Sequence, residues 1–276
     1  MDKLTMASLS HKNRLDMHEI ASHLGTKIIG KTIHGFDFVL STNDSARTFV
    51  EEGVDEGTVV FAEVQRAGKG RLNREWISPK GGLWISIILK PNIKPKEATI
   101  MTLLAGVAVA KTLLKVYNLN ASIKWPNDVL IGNKKVCGIL TELRTQKDKI
   151  DHLILGIGIN VNFDMKEFPE DIRAFSTTLK HEIGKEVSLG KLLSELLVEM
   201  DECYDILNSG QPYRIINQWK ELSITLGKKV TITNVKETIE GIALDIDDTG
   251  ALIVDTNEFG KRKFLTGDCL HVSMGV

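Results

Sequence analysis

A glycine-rich, positively charged segment between two apolar stretches contains the residues best suited to chemistry. Arg66, Lys69, Arg71 and Arg74 are spread among glycines between residues 65 and 82. Glycine lets backbone N–H groups approach a ligand closely, and the cations can neutralise an anion. Loops longer than about twelve residues are usually functional or disordered. The segment is therefore either an anion-binding loop or a solvated surface loop, and it lacks the Gly-x-x-x-x-Gly-Lys-Ser/Thr pattern of a P-loop.

Four consecutive polar residues, Ser41, Thr42, Asn43 and Asp44, follow a predicted strand at residues 32–40. Each residue type favours the N-cap position of a helix, and a helical pattern follows directly. One cap needs only one side chain, so the remaining hydroxyl and amide groups are available to a polar ligand. Capping and ligand binding both stay open.

Another polar cluster lies at a bend between predicted strands. Pro126 interrupts the extended chain, and Asn127 and Asp128 follow at the point where the chain resumes. Lys135 starts the next strand, where a lysine is usually solvated. Gly138 inside that strand indicates a close approach by a ligand or by another chain segment. A polar turn before a hairpin explains the same residues without any ligand.

A later apolar strand, at residues 150–161, has glycines at alternate positions. Gly156 and Gly158 fall on one face because side chains alternate along a strand. Their missing side chains leave a slot that a flat ring could enter, although close packing explains them equally well. Asn160 at the end of the strand could contact the edge of a base or cap a turn.

The elements that must position these groups follow from hydrophobic periodicity. Apolar strands are predicted at residues 59–64 and 83–89 on either side of the cationic loop. Amphipathic helices are predicted at residues 15–24, 95–117, 187–207 and 213–222. After residue 227, five short strands with turns between them predict a small closed β-barrel as a second domain.

Composition limits the class of protein. The chain has 276 residues, 42% of them hydrophobic, and a net charge of −1. This near-neutral charge argues against non-specific nucleic-acid binding. The three cysteines, Cys137, Cys203 and Cys269, are far apart, so we expect reduced thiols in a cytoplasmic protein. No uninterrupted apolar run reaches the roughly 18 residues of a membrane span.

In combination the motifs resemble those of biotin protein ligases, in the order of that family. They are Ser41-Thr42-Asn43, Gln65-x-x-Gly68-Lys69-Gly70-Arg71-x-x-Arg74-x-Trp76, Lys124-Trp125-Pro126-Asn127-Asp128, Lys135-x-x-Gly138-Ile139-Leu140-x-Glu142 and Gly156-x-Gly158-x-Asn160. The resemblance implies an α/β fold of the class II aminoacyl-tRNA synthetase/biotin ligase type: a mixed β-sheet flanked by helices, followed by an SH3-like barrel. The implied division is an N-terminal extension (1–28), a catalytic domain (29–224) and a C-terminal domain (225–276).

The resemblance implies that ATP activates biotin as biotinyl-5′-adenylate, which then acylates one lysine of a biotin carboxyl carrier protein. The residues implied to bind biotin are Ser41, Thr42, Asn43, Gln65, Gly68, Lys69, Gly70, Arg71, Lys135 and Gly138. Those implied to contact ATP or the adenylate are Lys69, Arg71, Arg74, Trp76, Asn127 and Asn160.

Three residues, Lys135, Arg71 and Asp128, are expected to take part in the chemistry. Lys135 resembles the lysine beside the biotin carboxylate, where it would screen the charge between two anions. Arg71 belongs to a lid over the reactants. Asp128 is our candidate for orienting the acceptor amine or Mg²⁺, which otherwise arrives on the ATP phosphates. No covalent enzyme intermediate is required.

The chain departs from the family pattern in two places. The family loop often reads Gly-Arg-Gly-Arg-Arg-Gly-Arg, whereas this chain has Lys69, Leu72 and Asn73 in place of Arg, Arg and Gly. Lys69 keeps the charge but loses bidentate geometry, and Asn73 still tolerates a left-handed backbone. The segment before Ser41 is shorter than the winged-helix domain of bifunctional members, so we expect no operator binding. From family habit, we expect a homodimer formed through a sheet edge.

Two rival functions remain. A lipoate or octanoate ligase shares the catalytic architecture, but the Gln65-x-x-Gly68-Lys69-Gly70-Arg71 loop with Trp76 favours biotin. A non-enzymatic, biotin-sensing regulator would need a DNA-reading element and would release no pyrophosphate.

Overall fold

A computed structural model describes residues 20, 24–234, 236–256 and 259–272. The helix predicted at residues 15–24 lies almost entirely outside them. The strands described are β1 Ile33–Val39, β2 Val59–Gln65, β3 Leu83–Leu89, β4 Ala121–Lys124, β5 Asp128–Ile131, β6 Lys134–Gln146, β7 Lys149–Ile159, β8 Lys229–Thr233, β9 Thr238–Ile246, β10 Leu252–Thr256, β11 Gly260–Phe264 and β12 Asp268–His271. The α-helices described are α1 Thr42–Glu51, α2 Thr99–Tyr117, α3 Glu170–Arg173, α4 Leu179–Ile183, α5 Leu189–Asn208 and α6 Pro212–Leu222.

The first seven strands form one mixed sheet in the order β1-β2-β3-β7-β6-β5-β4. The β1–β2 pair is parallel, and the other neighbouring strands in this sheet are antiparallel. This arrangement confirms the predicted mixed sheet flanked by helices. The five later strands form an antiparallel sheet in the order β11-β10-β9-β8-β12. The described residues thus contain the five short strands predicted after residue 227.

Strand β3 shows how the first sheet divides the interior. All seven of its residues are buried, and alternate residues point to opposite faces. Leu83, Ile85 and Ile87 belong to the main core, which also contains the apolar residues of helices α2 and α5. On the other face, Ile88 packs with Ala46 of helix α1. The long helices therefore cover one face, and the polar groups predicted to form a site lie on the other.

The helix predicted at residues 95–117 is divided at its start. A 3-10 turn at Pro95–Glu97 precedes α2, because proline suits the first turn of a helix but cannot donate an internal hydrogen bond. Within the described part of the chain, Pro95–Tyr117 is the single stretch long and apolar enough to cross a membrane, and most of it is buried inside the protein. Most of its apolar side chains belong to the main core.

The predicted domain boundaries at residues 28/29 and 224/225 stay predictions. The first sheet begins at Ile33 and the second at Lys229. The two sheets are joined at a junction where the backbone N–H of Trp125 donates to Thr225 Oγ1 over 3.0 Å.

A histidine of the second sheet lies at the same junction. Burial, with additional repulsion from Lys124 and Lys228, lowers the pKa of His271 to about 4. His271 Nε2 lies 3.1 Å from Thr225 Oγ1, so a neutral imidazole faces this hydroxyl at physiological pH.

The segment before β1 is attached to helix α5 by one buried carboxylate. Asp201 accepts hydrogen bonds from the backbone N–H groups of Lys27, Ile28 and Ile29 over 2.6, 2.9 and 2.8 Å. The Asp201 residue is only 7% exposed. Loss of this carboxylate would leave buried donors without partners.

We therefore expect Asp201→Ala to lower the free energy of unfolding by about 2–4 kcal/mol, because several buried N–H groups lose a charged acceptor. Urea denaturation followed by circular dichroism measures this change. Asp205→Ala is the matched control, since the Asp205 carboxylate lies on the same helix and contacts this segment at the exposed Lys27 ammonium instead of at buried N–H groups. Equal stability of the two variants would contradict the prediction.

Candidate active site

A cavity of about 780 Å³ opens on the face of the first sheet that the long helices leave free. It combines the cationic loop, the bend between β4 and β5, the glycine positions of β6 and β7, and the start of β12. The predicted site residues that line it are Ser41, Thr42, Asn43, Gln65, Lys69, Gly70, Arg71, Arg74, Trp76, Asn127, Asp128, Lys135, Gly138 and Asn160. Gly68 lies instead at a second cavity of about 620 Å³ on the outer side of the loop.

The floor of the cavity is formed by glycines on adjacent strands. Gly158 of β7 pairs with Gly138 of β6 on one side and with Trp84 of β3 on the other. The Trp76 indole covers both glycines: a Cβ atom at Gly138 would lie 2.8 Å from the ring, and one at Gly158 would overlap the indole nitrogen. The predicted slot lay over Gly156 and Gly158, but the Trp76 ring lies over Gly138 and Gly158, while Asn43 packs against Gly156. Close packing of the protein's own side chains therefore accounts for all three glycines.

The cationic loop has a defined conformation that the sequence prediction missed. Isolated antiparallel bridges pair Lys69 with Glu75 and Gln65 with Ser78. Between them, Leu72 and Asn73 adopt left-handed φ angles of 55° and 59°. Asn73 tolerates this backbone as expected, whereas leucine is an unusual residue in that region. Gly68 is required for packing, because a Cβ atom there would lie 2.7 Å from Ser78 Oγ.

The polar run at the start of α1 forms one corner of the cavity. Ser41 occupies the N-cap position, but its side chain makes no capping hydrogen bond. Thr42 and Asn43 are each 3% exposed and point to the sheet. The Thr42 N–H donates to Gln65 Oε1 over 2.8 Å, and Ser86 Oγ lies 2.6 Å from Asn43 Oδ1. These side chains therefore build the pocket rather than cap the helix.

Five lysine and arginine residues line the cavity, namely Lys69, Arg71, Arg74, Lys124 and Lys135. Among them, Lys69, Arg71, Arg74 and Lys135 each contact an acceptor within the protein. Lys135 Nζ lies 2.6 Å from Asp128 Oδ1 and 5.0 Å from the centre of the Trp76 ring. Lys69 Nζ lies 2.6 Å from Asp44 Oδ1. Arg71 and Arg74 contact residues at the start of strand β12 in the second sheet. Each of these four cations therefore has an oxygen atom of the protein as its partner.

The start of β12 holds the loop through both arginines. Arg71 donates to the Gly267 carbonyl over 3.1 Å and to Asn127 Oδ1 over 3.2 Å. Arg74 forms an ion pair with Asp268. Burial lowers the pKa of Arg71, while the charges of Asp268 and Asp128 oppose that change. Arginine nevertheless stays protonated at physiological pH, so the loop remains cationic.

The two asparagines predicted to contact adenine differ in availability. Both polar atoms of the Asn127 side chain are in use, because Nδ2 also donates to the Ile139 carbonyl over 2.9 Å. The Asn160 residue is 2% exposed, and its Oδ1 atom is buried without a hydrogen-bond partner at the cavity. Asn160 therefore retains an acceptor for a ligand N–H, whereas Asn127 orients Arg71 and strand β6.

The cysteines near the cavity are not activated. Burial raises the pKa of Cys269 to about 12, and burial likewise raises the pKa of Cys137. Both thiols are therefore neutral at physiological pH and poor nucleophiles.

Sequence reasoning missed two groups of residues that line the cavity. Phe168, Ile172 and Phe175 come from the segment between β7 and α4, in which Ile172 belongs to the short helix α3, and Phe175 is 71% exposed. Aromatic residues without a helical or strand period could have indicated a cover over a pocket. The second group, residues 268–271 of β12, carries no local signal because it arrives from the other sheet.

Comparison with known proteins identifies the family. Residues 35–160 match the model of the biotin/lipoate A/B protein ligase family, and residues 225–272 match that of the biotin protein ligase C-terminal domain. The bifunctional ligase/repressor BirA of Bacillus subtilis (strain 168) is 34% identical over 258 residues, which are 92% of this chain and 78% of that protein. A biotin--[acetyl-CoA-carboxylase] ligase of Mycobacterium tuberculosis is 29% identical and covers 84% of this chain and 86% of its own length.

A solved structure shows the same relationship in three dimensions. The biotin protein ligase from Aquifex aeolicus in complex with biotin and ATP superposes with a TM-score of 0.74 at 31% identity. The match covers 86% of this chain and 97% of that one. Sequence identity and architecture thus agree over both sheets, and the chain belongs to the biotin protein ligases.

Proposed function

We propose that this protein uses ATP to activate biotin as biotinyl-5′-adenylate and transfers the biotinyl group to one lysine of a biotin carboxyl carrier protein. The observation that supports this most is the single cavity in which Lys69, Arg71, Arg74 and Lys135 surround a glycine floor covered by an aromatic ring. Such a cavity suits a flat, uncharged ring system attached to a carboxylate, together with the phosphates of a nucleotide.

In the first step a biotin carboxylate oxygen attacks the α-phosphorus of ATP. The bond from this phosphorus to the bridging oxygen breaks, and pyrophosphate leaves with the electron pair. Two anions must approach each other, so cations have to compensate their charge. Lys135 stands on the cavity floor, while Arg71 and Arg74 face it from the loop. On binding, these three cations would leave their partners within the protein, Asp128, Gly267 and Asp268, and contact the substrates instead.

In the second step the amine of the acceptor lysine attacks the acyl carbon of the mixed anhydride. The bond from carbon to the phosphate oxygen breaks, AMP leaves, and the nitrogen loses one proton. Asp128 borders this space and is our candidate for orienting the amine once the ATP phosphates have engaged Lys135. Lys135 would then hold the carbonyl oxygen as negative charge develops on it.

We expect Mg²⁺ to arrive on the ATP phosphates, where it would help neutralise the leaving pyrophosphate. The described residues contain no group of three or more His, Cys, Asp or Glu side chains that could hold a metal ion. Asp128 could add one ligand, but its carboxylate is engaged by Lys135 at 2.6 Å. The carrier protein, a homodimer and a cytoplasmic location stay predictions.

Pyrophosphate release with biotin, lipoate or octanoate supplied separately tests the proposal. We expect release with biotin and not with the other two acids, because the polar corner of Thr42, Asn43 and Gln65 suits a ureido ring, whereas the dithiolane ring of lipoate and the alkyl chain of octanoate offer it no N–H donors. Release only with lipoate or octanoate would assign the related ligase activity instead. Biotin binding without any release would favour a non-enzymatic sensor.

We expect Lys135→Ala to reduce adenylate formation by about 10²–10³-fold, since the two reacting anions lose the cation between them. The measurement is pyrophosphate release under saturating biotin and ATP. Lys134→Ala is the matched control, because this neighbouring lysine does not line the cavity. Release by Lys135→Ala at the wild-type rate would remove this role.

We expect Arg71→Gly to release the adenylate from the cavity, because Arg71 attaches the loop to Asn127 and Gly267. The escaped anhydride would then biotinylate exposed lysines of an added bystander protein, detected with labelled streptavidin. Arg66→Gly is the control, since Arg66 lies in the same loop but stacks on Phe38 outside the main cavity. Labelling confined to the carrier protein in both variants would rule out a lid function.

A further inference from the structure

The cationic loop is connected to the polar corner of the cavity by a chain of charged side chains outside the cavity. Lys69 Nζ lies 2.6 Å from Asp44 Oδ1, and Arg47 Nη1 lies 2.8 Å from the same oxygen. The other Arg47 nitrogen, Nη2, lies 3.1 Å from Glu142 Oε2. We call Asp44, Arg47 and Glu142 the outer arm. It joins the loop to helix α1 and to strand β6.

Glu142 continues the connection to the corner itself. Its Oε2 atom also accepts a hydrogen bond from Asn43 Nδ2 over 2.9 Å. Asn43 Oδ1 in turn lies 2.6 Å from the Ser86 hydroxyl, and that hydroxyl lies 2.8 Å from Thr42 Oγ1. With a donor on one side and an acceptor on the other, the Asn43 amide can take only one orientation.

From Thr42 the hydrogen bonds return to the loop. The Thr42 N–H donates to Gln65 Oε1 over 2.8 Å, and Gln65 Nε2 donates to Ser78 Oγ over 2.8 Å. The Ser78 hydroxyl then donates to the Trp76 carbonyl over 2.9 Å. The contacts therefore form a closed circuit that leaves the loop at Lys69, crosses the corner of the cavity and re-enters the loop at Trp76.

We propose that Asp44, Arg47 and Glu142 are positioning residues that couple the conformation of the cationic loop to the orientation of Asn43 in the cavity. The proposal rests on the proposed function, because it concerns how biotin and its adenylate are held. It also assigns Lys69 a different task from that of a phosphate ligand: its ammonium anchors the loop to helix α1.

Charge and burial explain why the outer arm can act in this way. Burial raises the pKa of Asp44, but hydrogen bonds and charges from Lys69 and Arg47 outweigh it and keep the pKa below its ordinary value. Asp44 therefore stays ionised at physiological pH. Asn43 is 3% exposed, and a Cβ atom at Gly156 would overlap its Oδ1 atom, so strand β7 leaves it little room to move.

This arrangement explains in physical terms why Lys69 can stand where the family loop often has arginine. The side chains of Lys69 and Asp44 are 44% and 33% exposed. A lysine can place its compact charge on a single carboxylate oxygen, whereas the planar guanidinium of arginine favours two parallel hydrogen bonds. Arg47 already occupies the same Asp44 oxygen. A second guanidinium beside it would have less room for bidentate contact.

The size of the effect follows from the exposure of the pairs. Partly exposed ion pairs contribute little individually, so we expect Asp44→Asn and Lys69→Met each to accelerate adenylate release by about threefold to tenfold. The double variant should release it no faster than Asp44→Asn alone, because the Lys69–Asp44 pair that Lys69→Met removes is one of the two pairs that Asp44→Asn already breaks. Glu186→Gln is the control, since it breaks the exposed Lys180–Glu186 pair away from the cavity.

A second pair of variants separates positioning from a general loss of structure. Glu142→Gln keeps an oxygen that can accept from Asn43 but loses the charge that faces Arg47. We expect it to bind biotin like the wild type and to release the adenylate like Asp44→Asn. Glu142→Leu removes both contacts and should weaken biotin binding by about threefold to tenfold in isothermal titration. Glu142→Gln should keep the wild-type melting temperature, whereas Glu142→Leu should melt at a lower temperature because the buried Asn43 amide loses this acceptor.

Trypsin cleavage within the loop, after Arg71 or Arg74, measures loop position without requiring catalysis. We expect Asp44→Asn to be cleaved about threefold to tenfold faster than the wild type or Glu186→Gln. Unchanged cleavage, additive effects of Asp44→Asn and Lys69→Met, or wild-type biotin binding by Glu142→Leu would overturn the coupling. If the wild type formed no adenylate, the proposed function would be overturned instead. The cleavage rates would still test whether Asp44 holds the loop in position.

Discussion

Positive charge concentrated around one cavity is the constraint on which the arrangement of the site depends. Lys69, Arg71, Arg74 and Lys135 repel one another unless an acceptor stands beside each of them. Asp44, Gly267, Asp268 and Asp128 supply these acceptors from helix α1, strand β5 and the second sheet. The same contacts hold the loop over the cavity and bring its cations together there.

The division of the first sheet makes this concentration possible. Apolar side chains on one face pack against helices α2 and α5, which form most of the core. The other face can therefore carry glycines and polar groups without loss of the core. Gly138 and Gly158 let Trp76 lie directly on the backbone, and Gly156 makes room for Asn43. An aromatic cover and a fixed amide thus stand side by side at one corner.

The second sheet contributes residues to the site. Its strand β12 reaches Arg71 and Arg74 in the loop, and the Trp125 N–H and His271 both contact Thr225 at the junction. The outer arm holds the opposite side of the loop through Lys69, so the loop is restrained from two independent parts of the fold.

Local sequence determined the strands, the long helices and the set of polar residues that meet at the cavity, because hydrophobic periodicity and turn chemistry act over a few residues. It also identified Asn73 as a residue that tolerates a left-handed backbone. The tertiary structure alone decided the partners: Asp268 for Arg74, Asn127 for Arg71, Asp44 for Lys69 and Trp76 for the glycine slot. These pairings join residues far apart in the chain or on different elements, and their choice depends on the packing of whole sheets, which no local pattern encodes.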